Sequence, residues 1–151
     1  MAIVGEKIKD FTLKDQDNKD FKSEDLGGKR ILLSFHPLAW TGVCANQMKS
    51  LQDNLEIFKQ LNTIPVGLSI DHVPCKAAWA KELKIDQVRL LADFWPHGEV
   101  ARNLGVFREK QGFSERANII VDEKGKIIFV KIYDIPELPD LNEIIAFLKK
   151  A

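Results

Sequence analysis

Apolar positions along the chain change period several times, and each change predicts an element. Phe11 and Leu13 alternate with polar neighbours, and Phe21 follows the polar run from Asp15 to Asp20, which predicts a short hairpin at a sheet edge. After Gly27 and Gly28 the run Ile31-Leu32-Leu33-Ser34-Phe35 is apolar with no helical period, the pattern of a strand covered on both faces. From Cys44 the apolar residues fall at Met48, Leu51, Leu55 and Phe58. That spacing buries one face of a helix from about Gly42 to Leu61 and puts Cys44 on that face. Ile64 to Ile70 predicts a second buried strand, with Pro65 tolerated near its start. A helix follows Asp71, with Pro74 in its first turn and Cys75, Ala78, Trp79 and Leu83 on its inward face.

The second half continues with a brief strand over Val88 to Ala92, then Pro96-His97-Gly98 leads into a short helical turn before Gly105-Val106-Phe107. Ala117 to Val121 and Ile127 to Lys131 flank the turn Asp122-Glu123-Lys124-Gly125, a β-hairpin pattern. The last helix begins after Pro139, with Asp140 and Glu143 spaced as cap and capping partner and Leu141, Ile144, Ile145 and Leu148 on one face. Strand, helix, strand units followed by an antiparallel hairpin and a closing helix predict an α/β fold with a mixed central sheet flanked by helices on both faces. A chain of 151 residues matches a single domain, 1–151, able to bury its own core.

Charge narrows the partners. Lys plus Arg and Asp plus Glu number 22 each, so nothing points to nucleic acid or an anionic membrane surface. The stretch from Met1 to Glu6 has no basic region followed by an apolar run, and no segment approaches the ~18 apolar residues of a membrane span. A cytoplasmic protein is expected. Two cysteines make no disulfide framework, and in that compartment such a pair is redox-active or simply buried.

Cys44 stands in the first turn of its helix, where unpaired amides and the positive end of the helix dipole stabilise a thiolate. Thr41, three residues earlier, is placed as N-cap, so its hydroxyl can reach the third helical amide or the surroundings of the sulfur. Burial alone gives the alternative, since a free cysteine packs well as a small apolar residue. A disulfide exchanger of the Cys-x-x-Cys type is disfavoured, because the second thiol position is Gln47. His36, His72 and His97 with the two cysteines resemble no usual zinc spacing.

Pro37-x-x-x-Thr41-x-x-Cys44 is the signature Pro-x-x-x-Thr-x-x-Cys, and two further blocks accompany it in order. These are Leu91-Ala92-Asp93-Phe94-Trp95-Pro96-His97-Gly98 with Gly105-Val106-Phe107, and Ser114-Glu115-Arg116-Ala117-Asn118-Ile119-Ile120-Val121-Asp122. On these residues the chain resembles the peroxiredoxins of the AhpC/TSA superfamily over nearly its whole length. It is similar to the subgroups like alkyl hydroperoxide reductase E and bacterioferritin comigratory protein (peroxiredoxin Q). The resemblance implies a thioredoxin-like fold and a thiol-dependent peroxidase that reduces hydrogen peroxide and organic hydroperoxides through a Cys44 sulfenic acid.

It further implies that Thr41 and Arg116 assist Cys44, that Pro37 shields the sulfur, and that amides near Val43 and Cys44 donate to the peroxide. Gln47 stands where many relatives have Glu and is given a supporting role. Cys75 is either a packing residue or a resolving cysteine; without it an external thiol reduces the sulfenic acid directly. No cofactor or metal is called for. The partners implied are a hydroperoxide and a thiol reductant such as thioredoxin, glutaredoxin or a low-molecular-weight thiol. A homodimer is expected, with Trp40 and Trp95 at an interface or at the peroxide entrance. The aromatic loop Phe94-Trp95-Pro96 can equally close the core.

Overall fold

The computed structural model describes residues 2–151; Met1, the first residue of the N-terminal stretch read above, lies outside them. In chain order the elements are β1 (Thr12–Lys14), β2 (Asp20–Lys22), β3 (Arg30–Phe35), α1 (Gly42–Asp53), α2 (Leu55–Gln60), β4 (Thr63–Ser69), α3 (Val73–Leu83), β5 (Arg89–Ala92), α4 (Glu99–Asn103), β6 (Phe107–Arg108), β7 (Phe113–Ser114), β8 (Arg116–Val121), β9 (Ile127–Tyr133) and α5 (Leu141–Lys150). Seven strands form one sheet in the order β2-β1-β5-β4-β3-β8-β9, and β6 pairs with β7 alone. β3 runs parallel to β4 and β4 to β5, whereas β8 lies antiparallel to both β3 and β9. The sheet is mixed, as the pattern predicts, and the hairpin β1–β2 is at its edge.

Strand alternation divides the core. Ile31, Leu33 and Phe35 with Val66, Leu68, Leu91 and Ile119 enter one cluster, against α4 and the N-terminal segment. Leu32, Leu90 and Ile120 enter the other, against Met48, Leu51, Phe58, Trp79, Ala80, Ile144 and Leu148 of the helices. Cys44 belongs to this second cluster. Pro65 is opposite Leu32 of β3, but pairing with β5 begins only at Val66, so the proline precedes the segment bonded on both sides.

Four expectations are corrected. The helix from Gly42 to Leu61 is two helices, because the Asn54 amide donates to Ser50 O at 2.8 Å and competes with the backbone for that acceptor. On α3, Trp79 is buried as predicted, but Ala78 is exposed and Cys75 half-buried, while Lys76 and Ala80 take the buried positions. At α5 the Asp140 carboxylate accepts from Asn142 N at 3.0 Å, but Glu143 pairs with Lys131 at 2.7 Å instead of reaching back to the cap. Phe94 and Trp95 do not close the core; Trp95 is 79% exposed.

Candidate active site

The parallel strand β3 ends at Phe35 and delivers His36 and Pro37, both buried, to a loop that turns at Trp40 with φ 68°. A bulky residue in that left-handed region is strained, and the turn aims the chain into α1. The first intrahelical bond runs from Ala45 N to Thr41 O. The amides of Gly42, Val43 and Cys44 therefore have no partner within the helix.

Thr41 occupies the N-cap, yet its side chain makes no capping bond; Oγ1 donates to Leu38 O at 2.8 Å. This corrects the expectation of a cap bond from the hydroxyl oxygen to the third helical amide. Leu38 O in the preceding loop orients the hydroxyl proton instead. The consequence favours a ligand, because the helix start is left with donors that no side chain closes off. α3 makes the contrast: His72 Nδ1 accepts from Cys75 N at 3.1 Å and shuts that helix start.

Cys44 is 1% exposed and Arg116 2%. Arg116 Nη1 lies 3.4 Å from Cys44 Sγ and donates to Gln47 Oε1 at 2.7 Å, while its Nε donates to Ile135 O at 2.8 Å. Gln47 is fixed in turn, since its Nε2 donates to Ser34 Oγ at 2.7 Å and to Phe35 O at 3.1 Å. One face of α1 thus presents Cys44 and, one turn on, the amide that holds the guanidinium against the sulfur. The surface ion pair that Arg116 could have made does not form: Glu115 pairs with Arg108 at 3.0 Å and Asp122 caps its own turn. Cys44, Gln47 and Arg116 come together here; Val43 precedes the cysteine in the first turn of α1, Pro37 is buried in the loop before it, and Thr41 is the N-cap with its hydroxyl on Leu38 O.

Cys75 has a different setting. Its sulfur lies 3.8 Å from Asp71 Oδ1, and burial first, then the Asp71 carboxylate, push the thiol above its ordinary range. One sulfur lies against a cation and the other against an anion. Both cysteines are free. Asp71 also accepts from Ala39 N at 2.8 Å and Ser69 Oγ at 2.6 Å, tying the loop before α1 to the end of β4.

The sequence reading missed Asp71, Ile135, His36 and Lys76. Ile135 acts through its carbonyl, which has no sequence signal, and a lysine in an amphipathic helix reads as surface. The three histidines lie apart: His36 packs on Trp79, His72 caps α3, and His97 lies 2.8 Å from Gly112 O. Among the described residues no three His, Cys, Asp or Glu side chains are grouped to hold a metal. A cavity of about 380 Å³ lined by Lys29, Leu55, Lys59 and Arg89 lies at the opposite ends of the central strands, and none of the site residues line it.

Comparison with known proteins gives the following. The profile of the AhpC/TSA family matches residues 4–130. Alkyl hydroperoxide reductase E of Mycobacterium tuberculosis is 36% identical over 141 residues, covering 93% of this chain and 92% of that protein. A thioredoxin peroxidase of Echinococcus granulosus is 31% identical over 97% of this chain and 80% of its own length. Among solved structures, AhpC of Enterococcus faecalis superposes with a TM-score of 0.91 at 26% identity, over 99% of this chain and 92% of that one.

Proposed function

The chain belongs to the AhpC/TSA family and is a thiol-dependent peroxidase with a thioredoxin-like fold, and from that premise we propose that Cys44 is the atom that meets the peroxide. The observation that carries this is the Arg116 guanidinium 3.4 Å from Cys44 Sγ at an uncapped helix start. The Cys44 thiolate attacks the terminal oxygen of a hydroperoxide in line. The S–O bond forms as the O–O bond breaks; the leaving oxygen takes the hydroperoxide proton and departs as alcohol or water. Sulfur is oxidised to the sulfenic acid level. Negative charge develops on both oxygens, so the free amides of Val43 and Cys44 and the fixed guanidinium stabilise the transition state more than the bound peroxide. Burial of Pro37 and of the sulfur favours a small substrate and keeps water away. Gln47 holds Arg116, and Thr41 keeps the loop folded through Leu38.

The family implies a peroxide substrate and a thiol reductant. We assign resolution to Cys75: its thiol displaces the sulfenic hydroxyl as water, forming an S–S bond that an external thiol then reduces. The thioredoxin peroxidase relative supports a thioredoxin-type dithiol as that reductant. No helix among the described residues is long and apolar enough to cross a membrane. Two free cysteines suit the cytoplasm. Exposed Trp40, Phe94 and Trp95 support a homodimer contact.

The test is one equivalent of hydrogen peroxide, followed by intact and non-reducing peptide masses, on wild type, C44S and C75S, with dimedone present to trap sulfenic acid. The expected pattern is a Cys44–Cys75 disulfide in wild type and a dimedone adduct at Cys44 in C75S. Sulfenic acid persisting in wild type removes Cys75 from the cycle, and an unmodified Cys44 removes the peroxidase role from this site.

A further inference from the structure

The loop that carries the chain from β3 into α1 is held from outside by a carboxylate that the mechanism above does not use. Ala39, 7% exposed, lies between Pro37 and the N-cap Thr41, and its amide donates to Asp71 Oδ2 at 2.8 Å. Asp71 follows β4, the strand that runs parallel to β3, so one side chain joins the exits of both strands. Ser69 Oγ donates to the same Oδ2 at 2.6 Å and fixes the carboxylate; Ser69 is buried. The other oxygen, Oδ1, faces Cys75 Sγ at 3.8 Å. The oxygen on Ala39 N is thus the one that Ser69 holds.

What comes after Ala39 explains the need for an anchor. Trp40 has φ 68°, a left-handed conformation that a bulky residue keeps only where its surroundings over-determine it. Trp40 is 55% exposed, so burial of its side chain does not impose the turn. Two hydrogen bonds bracket it, from Ala39 N to Asp71 before it and from Thr41 Oγ1 to Leu38 O after it. The second lies within the loop and moves with it. The first ties the loop to the end of β4, and a buried amide is costly to leave without its acceptor.

We propose, resting on the assignment of Cys44 above, that Asp71 is a positioning residue of the peroxide reaction: by holding Ala39 N it keeps the turn at Trp40, and through it the aim of the open amides at the start of α1. Thr41 is two residues beyond Ala39, and the amides of Gly42, Val43 and Cys44 follow directly. These donors stabilise the charge that develops on the peroxide oxygens, and a displacement of about 1 Å can forfeit about 10²-fold in rate. Alkylation of the same sulfur needs an accessible thiolate and no donors aimed at a leaving oxygen. Loss of Asp71 therefore separates two reactions of one thiol. An asparagine at this position can turn its carbonyl to Ala39 N and Ser69 Oγ, whereas alanine offers them nothing.

The experiment measures the second-order rate of Cys44 thiol loss, followed by mass, with hydrogen peroxide and separately with iodoacetamide. The proteins are C75S, D71A/C75S, D71N/C75S and S69A/C75S, so that only one thiol reports; circular dichroism and a thermal melt check the fold. D71A/C75S is expected to react with peroxide roughly 10- to 100-fold more slowly than C75S. Its iodoacetamide rate falls by less than about twofold, or rises as the loop loosens. D71N/C75S recovers the peroxide rate to within about threefold of C75S. S69A/C75S frees the carboxylate without removing it and lowers the peroxide rate about 3- to 10-fold.

A peroxide rate in D71A/C75S within about twofold of C75S overturns the proposal. So does a loss by the same factor with both reagents, the mark of a merely structural role. D71N/C75S as slow as D71A/C75S overturns it as well, because the acceptor for Ala39 N would then not be what matters. Should D71A/C75S not fold, S69A/C75S decides, and a peroxide rate unchanged from C75S counts against Asp71. A C75S protein whose Cys44 takes iodoacetamide but not peroxide instead sinks the peroxidase assignment of Cys44, and the role of Asp71 falls with it.

Discussion

Arg116 makes three contacts from inside the protein, to Cys44 Sγ, Gln47 Oε1 and Ile135 O. R116K shortens the reach and loses the planar fork, so one cation cannot serve all three. We expect the second-order rate with peroxide to fall by about 10²–10³, the scale of losing a preorganised donor. Stability should fall by about 1–3 kcal/mol as Gln47 Oε1 and Ile135 O lose a buried donor. Stopped-flow kinetics and urea unfolding check the two effects. A variant that loses rate without stability would show that the Gln47 and Ile135 contacts contribute little to the fold.

Lys76 predicts the opposite sign in stability. Its folded pKa of about 7 is below the 10.5 of the unfolded chain, so the unfolded chain binds more protons between those values and stability rises with pH through that window. Below pH 7 the native state carries the buried charge at full cost. K76M should therefore stabilise the protein by about 1–4 kcal/mol near pH 6, with the gain fading towards pH 10. Urea midpoints at the two pH values measure it. Arg116 was legible because a motif block surrounds it. Lys76 was not, because charge in an amphipathic helix normally marks the wet face and the residue breaks that rule.

At the level of elements, α1 is placed by how closely it lies on β4. A Cβ on Gly67 would come 2.3 Å from Met48 Sδ and 3.0 Å from Leu90 Cδ2, and Met48 is fully buried. G67A should cost about 1–3 kcal/mol by overpacking, even with the thioether yielding somewhat. Because Met48 is one turn from Cys44, the same change should slow the peroxide reaction. Unfolding and rate measured together test the link, and an unchanged rate in a destabilised protein would separate α1 placement from chemistry. The apolar period located β3, β4, α1 and α5, since each buries a continuous face. It ran α1 into α2 because Leu55 and Phe58 continue the spacing, while the Asn54 side chain that ends α1 is polar and leaves no mark in it. Capping was misread for a similar reason. Thr41 and Glu143 have the right spacing, but the Thr41 hydroxyl donates to Leu38 O, three residues back in a loop whose turn leaves no periodic mark, and Glu143 pairs with Lys131 of the neighbouring strand.

Taken whole, the molecule sets two helix starts side by side at the ends of parallel strands, α1 after β3 and α3 after β4, each with a cysteine as its third residue. α1 is open and positive; α3 is capped by His72 and has Asp71 at its sulfur. Which thiol reacts first follows from that asymmetry, and so does the order of events afterwards. A disulfide needs Cα atoms within about 7 Å and sulfurs turned to one another, whereas here one sulfur faces Arg116 and the other Asp71. In the two-cysteine cycle one sulfur must therefore leave its partner, and α3 is the end that yields. Freeing Cys75 gives up one cap bond, an effect of about 0.5–2 kcal/mol, while Trp79 and Ala80 keep the rest of the helix docked. Moving Cys44 would break the Arg116 and Gln47 network that the reaction has just used. Hydrogen exchange followed by peptide mass should thus show faster exchange over residues 72–78 after one equivalent of peroxide, by roughly tenfold or more, with residues 116–121 unchanged. The change should be absent in C75S. Equal exchange over 72–78 in reduced and oxidised wild type would mean that the start of α3 stays wound, and a resolving role for Cys75 could not then stand.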